Sequence, residues 1–354
     1  MLALNSRNTR RSFRATIGLI SAIRVWLAFL PGSEKSTLPV SSLQHPAMIH
    51  TQKIRELDLT HGSSESRSPF ISAASGLVKV NNLLYVVADD EHHLGVFSAD
   101  HVEPGELVRL FDGTLPDKFK KRKAQKPDLE TLLLLPTFAG YPHGALLAMG
   151  SGSKPNRDTG VLLGLDVLGN INSAPRLIDL SLLYDAIRAE VDELNIEGAV
   201  IAGGQLMLLQ RGNKGAVNAL IACVLDPFID DLVASNAPRL RAPPVVRAVA
   251  LGDIDGVPLC FTDAAGLPDG NLLFTAVAEN TENSFDDGAC GGSAIGIVDV
   301  NGNVKRIERL DPPYKVEGVA ATMQADGIHL LLVTDADDAS KAAWLLSAVL
   351  NENV

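Results

Sequence analysis

Positive charge is in short supply in this sequence: 31 Lys and Arg stand against 42 Asp and Glu, a formal net charge of −11. An acidic surface repels phosphate, so general nucleic-acid binding is not expected. Cysteine is scarce as well. Cys223, Cys260 and Cys290 have no close spacing, which excludes a zinc ligand pattern and a disulfide framework and favours free buried thiols. No Gly-x-Ser-x-Gly stretch occurs, so the strand-to-helix elbow that presents a nucleophilic serine is missing. Long apolar runs are also lacking. The run from Ile17 to Leu30 is short and interrupted by Arg24, too little to span a membrane. It follows Arg10 and Arg11, a twin arginine of the kind that opens a bacterial export signal. Two readings of residues 1–47 stand side by side. They are an export signal, placing the protein in the periplasm, or a non-structural extension, with the true start at Met48 and a cytoplasmic protein.

What the chain has in quantity is a repeated strand pattern. Of its 354 residues 46% are hydrophobic, and Gly and Pro punctuate it at short intervals, as many short strands joined by turns require. The first copy reads SGLVKV at 75–80, LLYVVADD at 83–90, LGVFSAD at 94–100 and ELVRLFDG at 106–113. Further copies start near Glu130, Glu197, Asp263 and Glu317, and the last lacks its outer strand. KIRELDL at 53–59 has the alternation to supply it. Joining the first strand to the last sheet removes exposed edges, which is how a ring of sheets closes. The expected fold is therefore all-β, a propeller of five blades closed by an N-terminal strand, occupying residues 48–354. Six blades with one degenerate copy, or a sandwich, are the alternatives. Two insertions interrupt the pattern: a basic loop at 117–127 and a short helix expected within 180–193.

Acidic residues recur at the ends of the inner strands. Glu130, Glu197, Asp263 and Glu317 open first strands, while Asp89, Asp335 and Asp337 follow second strands. Five-fold geometry brings such groups toward one axis, where crowded carboxylates need a cation or raised pKa values. Hard oxygen donors suit Ca²⁺ or Mg²⁺. Glu197 and Glu317 head this candidate ligand set, followed by Asp335, Asp337, Asp89, Glu130 and Asp263. The plainer reading is that acids in turns accept backbone amides. Blades two and three carry other polar groups at the same places. Ser153, Lys154, Asn156 and Arg157 lie in GSGSKPNR, and Arg211 and Asn213 in QRGNK. With Lys126 these are candidates to hold an anionic small molecule. His92 and His93 are read as a solvated hairpin tip.

The stretches VEGVAATMQADGIHLLLVTDADD at 316–338 and NIEGAVIAGGQLMLLQRGN at 195–213 resemble repeats of the bacterial phytase-like propellers, the family labelled for esterase-like activity of phytase. ISAASGLVKVNNLLYVVADDEHHLGVF resembles an opening repeat of related uncharacterised propellers. The resemblance implies a propeller and is compatible with a metal-dependent hydrolase of anionic phosphoesters or esters. A non-catalytic propeller that binds a ligand or protein through its rim is the rival expectation.

Overall fold

The computed structural model describes residues 48–212, 217–280 and 289–351. All belong to one compact unit, His45–Val354. The expectations for residues 1–47 and for Asn213 lie outside the described residues.

Five sheets form the blades of a propeller: four are four-stranded and antiparallel, and that of the fourth blade reaches six strands by adding Asp253–Ile254 and Met48–His50 to its four antiparallel strands. Their innermost strands are Ala74–Val80, Leu129–Leu135, Ile196–Ala202, Val257–Gly266 and Val316–Gln324. Second strands such as Ala145–Gly150 are buried on both faces, because each blade is covered by its two neighbours. Outermost strands such as Glu106–Arg109 are short and more exposed. The core is therefore a set of apolar layers between blades. Tyr85, Leu132 and Leu146 fill the first, between blades one and two. Phe261 and Phe274 meet edge to face in another, between blades three and four, with ring centroids 5.2 Å apart.

The ring closes as the sequence predicts. Gln52–Glu56 runs antiparallel to Trp344–Leu350 and completes the last blade. The preceding Met48–His50 pairs in parallel with Arg309–Asp311 on the outer edge of blade four. Among the described residues three α-helices sit outside the sheets: α1 (Phe119–Gln125), α2 (Ser181–Arg188) and α3 (Leu225–Ala234). Helix α2 lies inside the predicted segment and buries Leu183, Tyr184 and Ile187. Helix α1 replaces the expected open basic loop. His93 is buried on a strand and His92 rests against Phe111, so neither is the solvated tip expected of them. No helix among the described residues is long and apolar enough to cross a membrane.

Candidate functional site

Each innermost strand carries a β-bulge at the same place, where the register skips one residue against the second strand. The skipped residues are Ser75, Glu130, Glu197, Thr262 and Glu317. A bulge re-aims a side chain out of the alternation of its strand, and all five lie at the same end of the central channel. Asp263 is thus one residue out of step with the glutamates it was aligned to. It falls in the next layer with Gly76, Thr131, Gly198 and Gly318. There the strands approach so closely that a Cβ on Gly198 would lie 3.0 Å from Asp263 Cα, and one on Gly318 3.0 Å from Leu77 N. Asp263 Oδ2 accepts the Val319 N–H at 2.9 Å across this gap. Burial pushes its carboxyl well above the ordinary range, against the pull of backbone donors.

Two residues before each bulge, the chain places Ala73, Asp128, Asn195, Cys260 and Lys315, and this second ring supplies several partners of the first. Asn195 Nδ2 donates to Glu197 Oε1 at 2.7 Å. Arg211 reaches Glu197 at 3.2 Å and Glu279 at 2.5 Å. Lys315 Nζ lies 2.7 Å from Asp337, 3.0 Å from Asp335, 3.5 Å from Glu317 and 3.6 Å from Glu279. Burial opposes the charged forms of Arg211 and Lys315, yet the surrounding carboxylates hold both well above their usual values. Burial dominates at Glu317, whose pKa is pushed up to about 8 despite Lys315 and Arg211. It also raises Glu197. Asp337 is pushed up to about 7 by burial and by Asp335.

The other half of the mouth belongs to blades one and two. Oxygens of Asp89, Asp128 and Glu130 lie within 4.8 Å of one another. Asp128 is heavily engaged. Lys126 stands at 2.8 Å and Arg157 at 2.7 Å, and Ser151 Oγ donates at 2.5 Å. Lys126 also contacts Asp89. Glu130, half-buried, has no hydrogen-bond or ion-pair partner among the described residues. Burial, then Glu197 and Asp128, raise its pKa well above the ordinary range.

The predicted anion-binding residues are spent largely on structure. Arg157 Nη1 donates to Ser153 Oγ at 2.6 Å, and Asn156 Nδ2 donates to the carbonyls of Ala124 and Lys126. Lys154 is half-buried, its pKa lowered by burial and by Arg157. Within α1, Arg122 turns inward to the Pro116 and Asp90 carbonyls, while Lys120 and Lys121 stay exposed. A cleft of ≈ 600 Å³ opens beside the mouth, with Asp89 and Lys126 on one side and Asp335 and Asp337 on the other. The opposite end of the channel opens into a cavity of ≈ 340 Å³ lined by Leu77, Leu133, Ala199, Ala264 and Val319, with Lys79, Asn81 and Thr322 among them. Asp128 and Lys315 were not singled out from the sequence. Aligning the repeats on the bulge exposes Asp128 and Lys315 at a shared position.

Comparison with curated proteins returns no match. Among solved structures the fold is similar to a luciferin-regenerating enzyme, at 11% identity and TM-score 0.45 over 85% of this chain and 95% of that one. It is similar to the glutaminyl cyclase of Myxococcus xanthus, at 12% identity and TM-score 0.44 over 87% and 100%. It is also similar to the aldose sugar dehydrogenase of Streptomyces coelicolor in its PQQ-bound form, at 13% identity and TM-score 0.42 over 87% and 100%. The family model that matches covers residues 70–350, from just before the first blade to the last strand: the chain belongs to DUF6929, a family of unknown function.

Proposed function

We propose that the charged mouth binds a divalent cation at Asp89, Asp128 and Glu130, and with it an anionic ester that the protein hydrolyses. The observation that carries this reading is Glu130, a carboxylate without a partner beside two others within 4.8 Å. Three oxygen donors in that spacing suit Ca²⁺ or Mg²⁺, and the contact of Lys126 with both aspartates supports a preference for positive charge there. When bound, such an ion polarises an ester oxygen and acidifies a water. Arg157 and Ser153, joined to each other, and Lys126 would orient the anionic group, with Lys154, Asn156 and Arg211 at greater remove. The ≈ 600 Å³ cleft gives room for a small molecule. Glu197, Glu317, Asp335 and Asp337 rank behind as ligands, since Arg211 and Lys315 already engage them. Asp263 ranks last, turned to a backbone amide. The ester substrate rests on the resemblance of the Glu-Gly repeats to phytase-like propellers. Residues 1–47 are read with it as an extension or export signal preceding the domain.

Calorimetric titration of Ca²⁺ tests the site. Glu130→Gln keeps the shape and loses the charge, so binding should weaken by about tenfold or more. Wild-type protein that gives no heat and no calcium-dependent shift in Tm overturns the cation site. A panel of carboxylic and phosphoric esters, assayed with calcium and with chelator, tests hydrolysis.

A second reading, a propeller that binds without catalysis, has one observation in its favour. The hydroxyls at the mouth, Ser151 and Ser153, are hydrogen-bonded to Asp128 and Arg157, and no histidine pairs with either among the described residues. Calcium binding without turnover of any ester would select it.

A further inference from the structure

On the last blade a second cleft, of ≈ 630 Å³, runs from Lys315, Asp335 and Asp337 at the channel mouth to Phe70, Tyr314, Trp344 and Glu56. The three aromatic residues are half-buried, an expensive way to spend apolar surface unless something covers it. One cation reaches two of these rings from beside the cleft. Lys53 Nζ lies 3.7 Å from the centroid of the Trp344 ring and 5.4 Å from that of Tyr314. A single ammonium is therefore within attractive range of two aromatic faces at once. Lys53 has no hydrogen bond or ion pair among the described residues, so the rings are its whole recognition.

The closing strand makes this arrangement. Residues three apart on a regular strand face opposite sides. The register of Gln52–Glu56 shifts by one between Lys53 and Arg55, and Glu56 then stands opposite Trp344. The extra residue thus brings an ammonium and a carboxylate to the same aromatic side chain. The Glu56 carboxylate is exposed and unpaired among the described residues. The cleft's two lysines are committed elsewhere, Lys315 to the channel-mouth carboxylates and Lys341 to Asp338 at 2.9 Å. What is left for a ligand is two ring faces and one free carboxylate, a set that recognises an organic cation.

We propose that Trp344, Tyr314 and Glu56 form a binding site for an organic ammonium ion, and that Lys53 occupies it until the ligand displaces it. This goes beyond the anion chemistry of the channel mouth and uses none of its carboxylates. Lys53 then acts as a built-in competitor, which a purely structural lysine would not be.

The chain has two tryptophans, Trp26 and Trp344, so a Trp26→Phe full-length protein reports on Trp344 alone by fluorescence. The probes are choline chloride and its uncharged isostere, in which carbon replaces the quaternary nitrogen. Choline should change the emission saturably and the isostere should not. Lys53→Ala should tighten choline binding by roughly two- to fivefold, the strength of the exposed contact it removes. Tyr314→Leu should weaken it by about tenfold, with an unchanged melting curve as the check on folding. Equal response to both probes, absence of saturation, or a Lys53→Ala protein that binds choline no more tightly than its parent overturns the proposal.

Discussion

The two halves of the channel mouth solve the same problem, crowded carboxylates, in opposite ways. On the side of blades three to five, two buried cations are shared among five acids: Arg211 between Glu197 and Glu279, and Lys315 among Glu279, Glu317, Asp335 and Asp337. On the side of blades one and two, two cations and a serine converge on Asp128 while its neighbour Glu130 receives nothing. The first half is self-neutralising, and each cation there is essential to several groups. The second has donors to spare at one acid and a vacancy at the next, which is the condition for taking up an external ion.

If this contrast is right, the largest effect comes from Lys315→Met. It strips the shared cation from four acids and should cost about 3–5 kcal/mol in urea unfolding near neutral pH. Lys126→Met should cost about half as much or less, because Arg157 and Ser151 remain on Asp128. Equal losses would break the comparison. The next effect is a pH dependence. The folded chain keeps the Glu317 proton up to about 8, whereas the unfolded chain releases it near the ordinary value. Stability is then full below the ordinary carboxyl range and drains away as pH rises toward 8, by at most about 1.4 kcal/mol per pH unit. Glu317→Gln should flatten that slope in a melting series. Glu130→Gln should flatten it as well, since burial raises that carboxyl too. The smallest effect is expected from Asp263→Asn. Replacement by Ala removes the acceptor for the Val319 amide and should cost about 1–3 kcal/mol, while Asn keeps an acceptor and should be nearly silent. A large loss in Asp263→Asn would show that its charge matters, contrary to a backbone cap.

The repeats and the closing strand were legible because they follow from local alternation and turn residues. Glu197 and Glu317 were legible because each bulged glutamate precedes a glycine that the crowded inner ring demands. The bulge itself was not, which is why Asp263 was matched to them although Thr262 occupies the position. Thr262 Oγ1 donates to the Val316 carbonyl at 3.0 Å. A threonine there gives no acidic signal to align on. The inward turn of Arg122 and Lys126 was hidden for another reason. A run of like charges ordinarily solvates, and what buries these two is acids 31 to 37 residues earlier, Asp90, Glu91 and Asp89, which only the assembled ring brings near. Helix α3 was missed because it continues from the strand Ala219–Val224 with no turn between.

Residues 48–56 staple two sheets at once, pairing first with blade four and then with blade five. During synthesis these residues leave the ribosome some 250 to 300 positions ahead of both partners, Arg309–Asp311 and Trp344–Leu350. They must wait unpaired while four blades are built. The ring can lock only after the last strand has emerged, so an interrupted chain leaves two raw edges instead of one, and assembly carries its own check for full-length product.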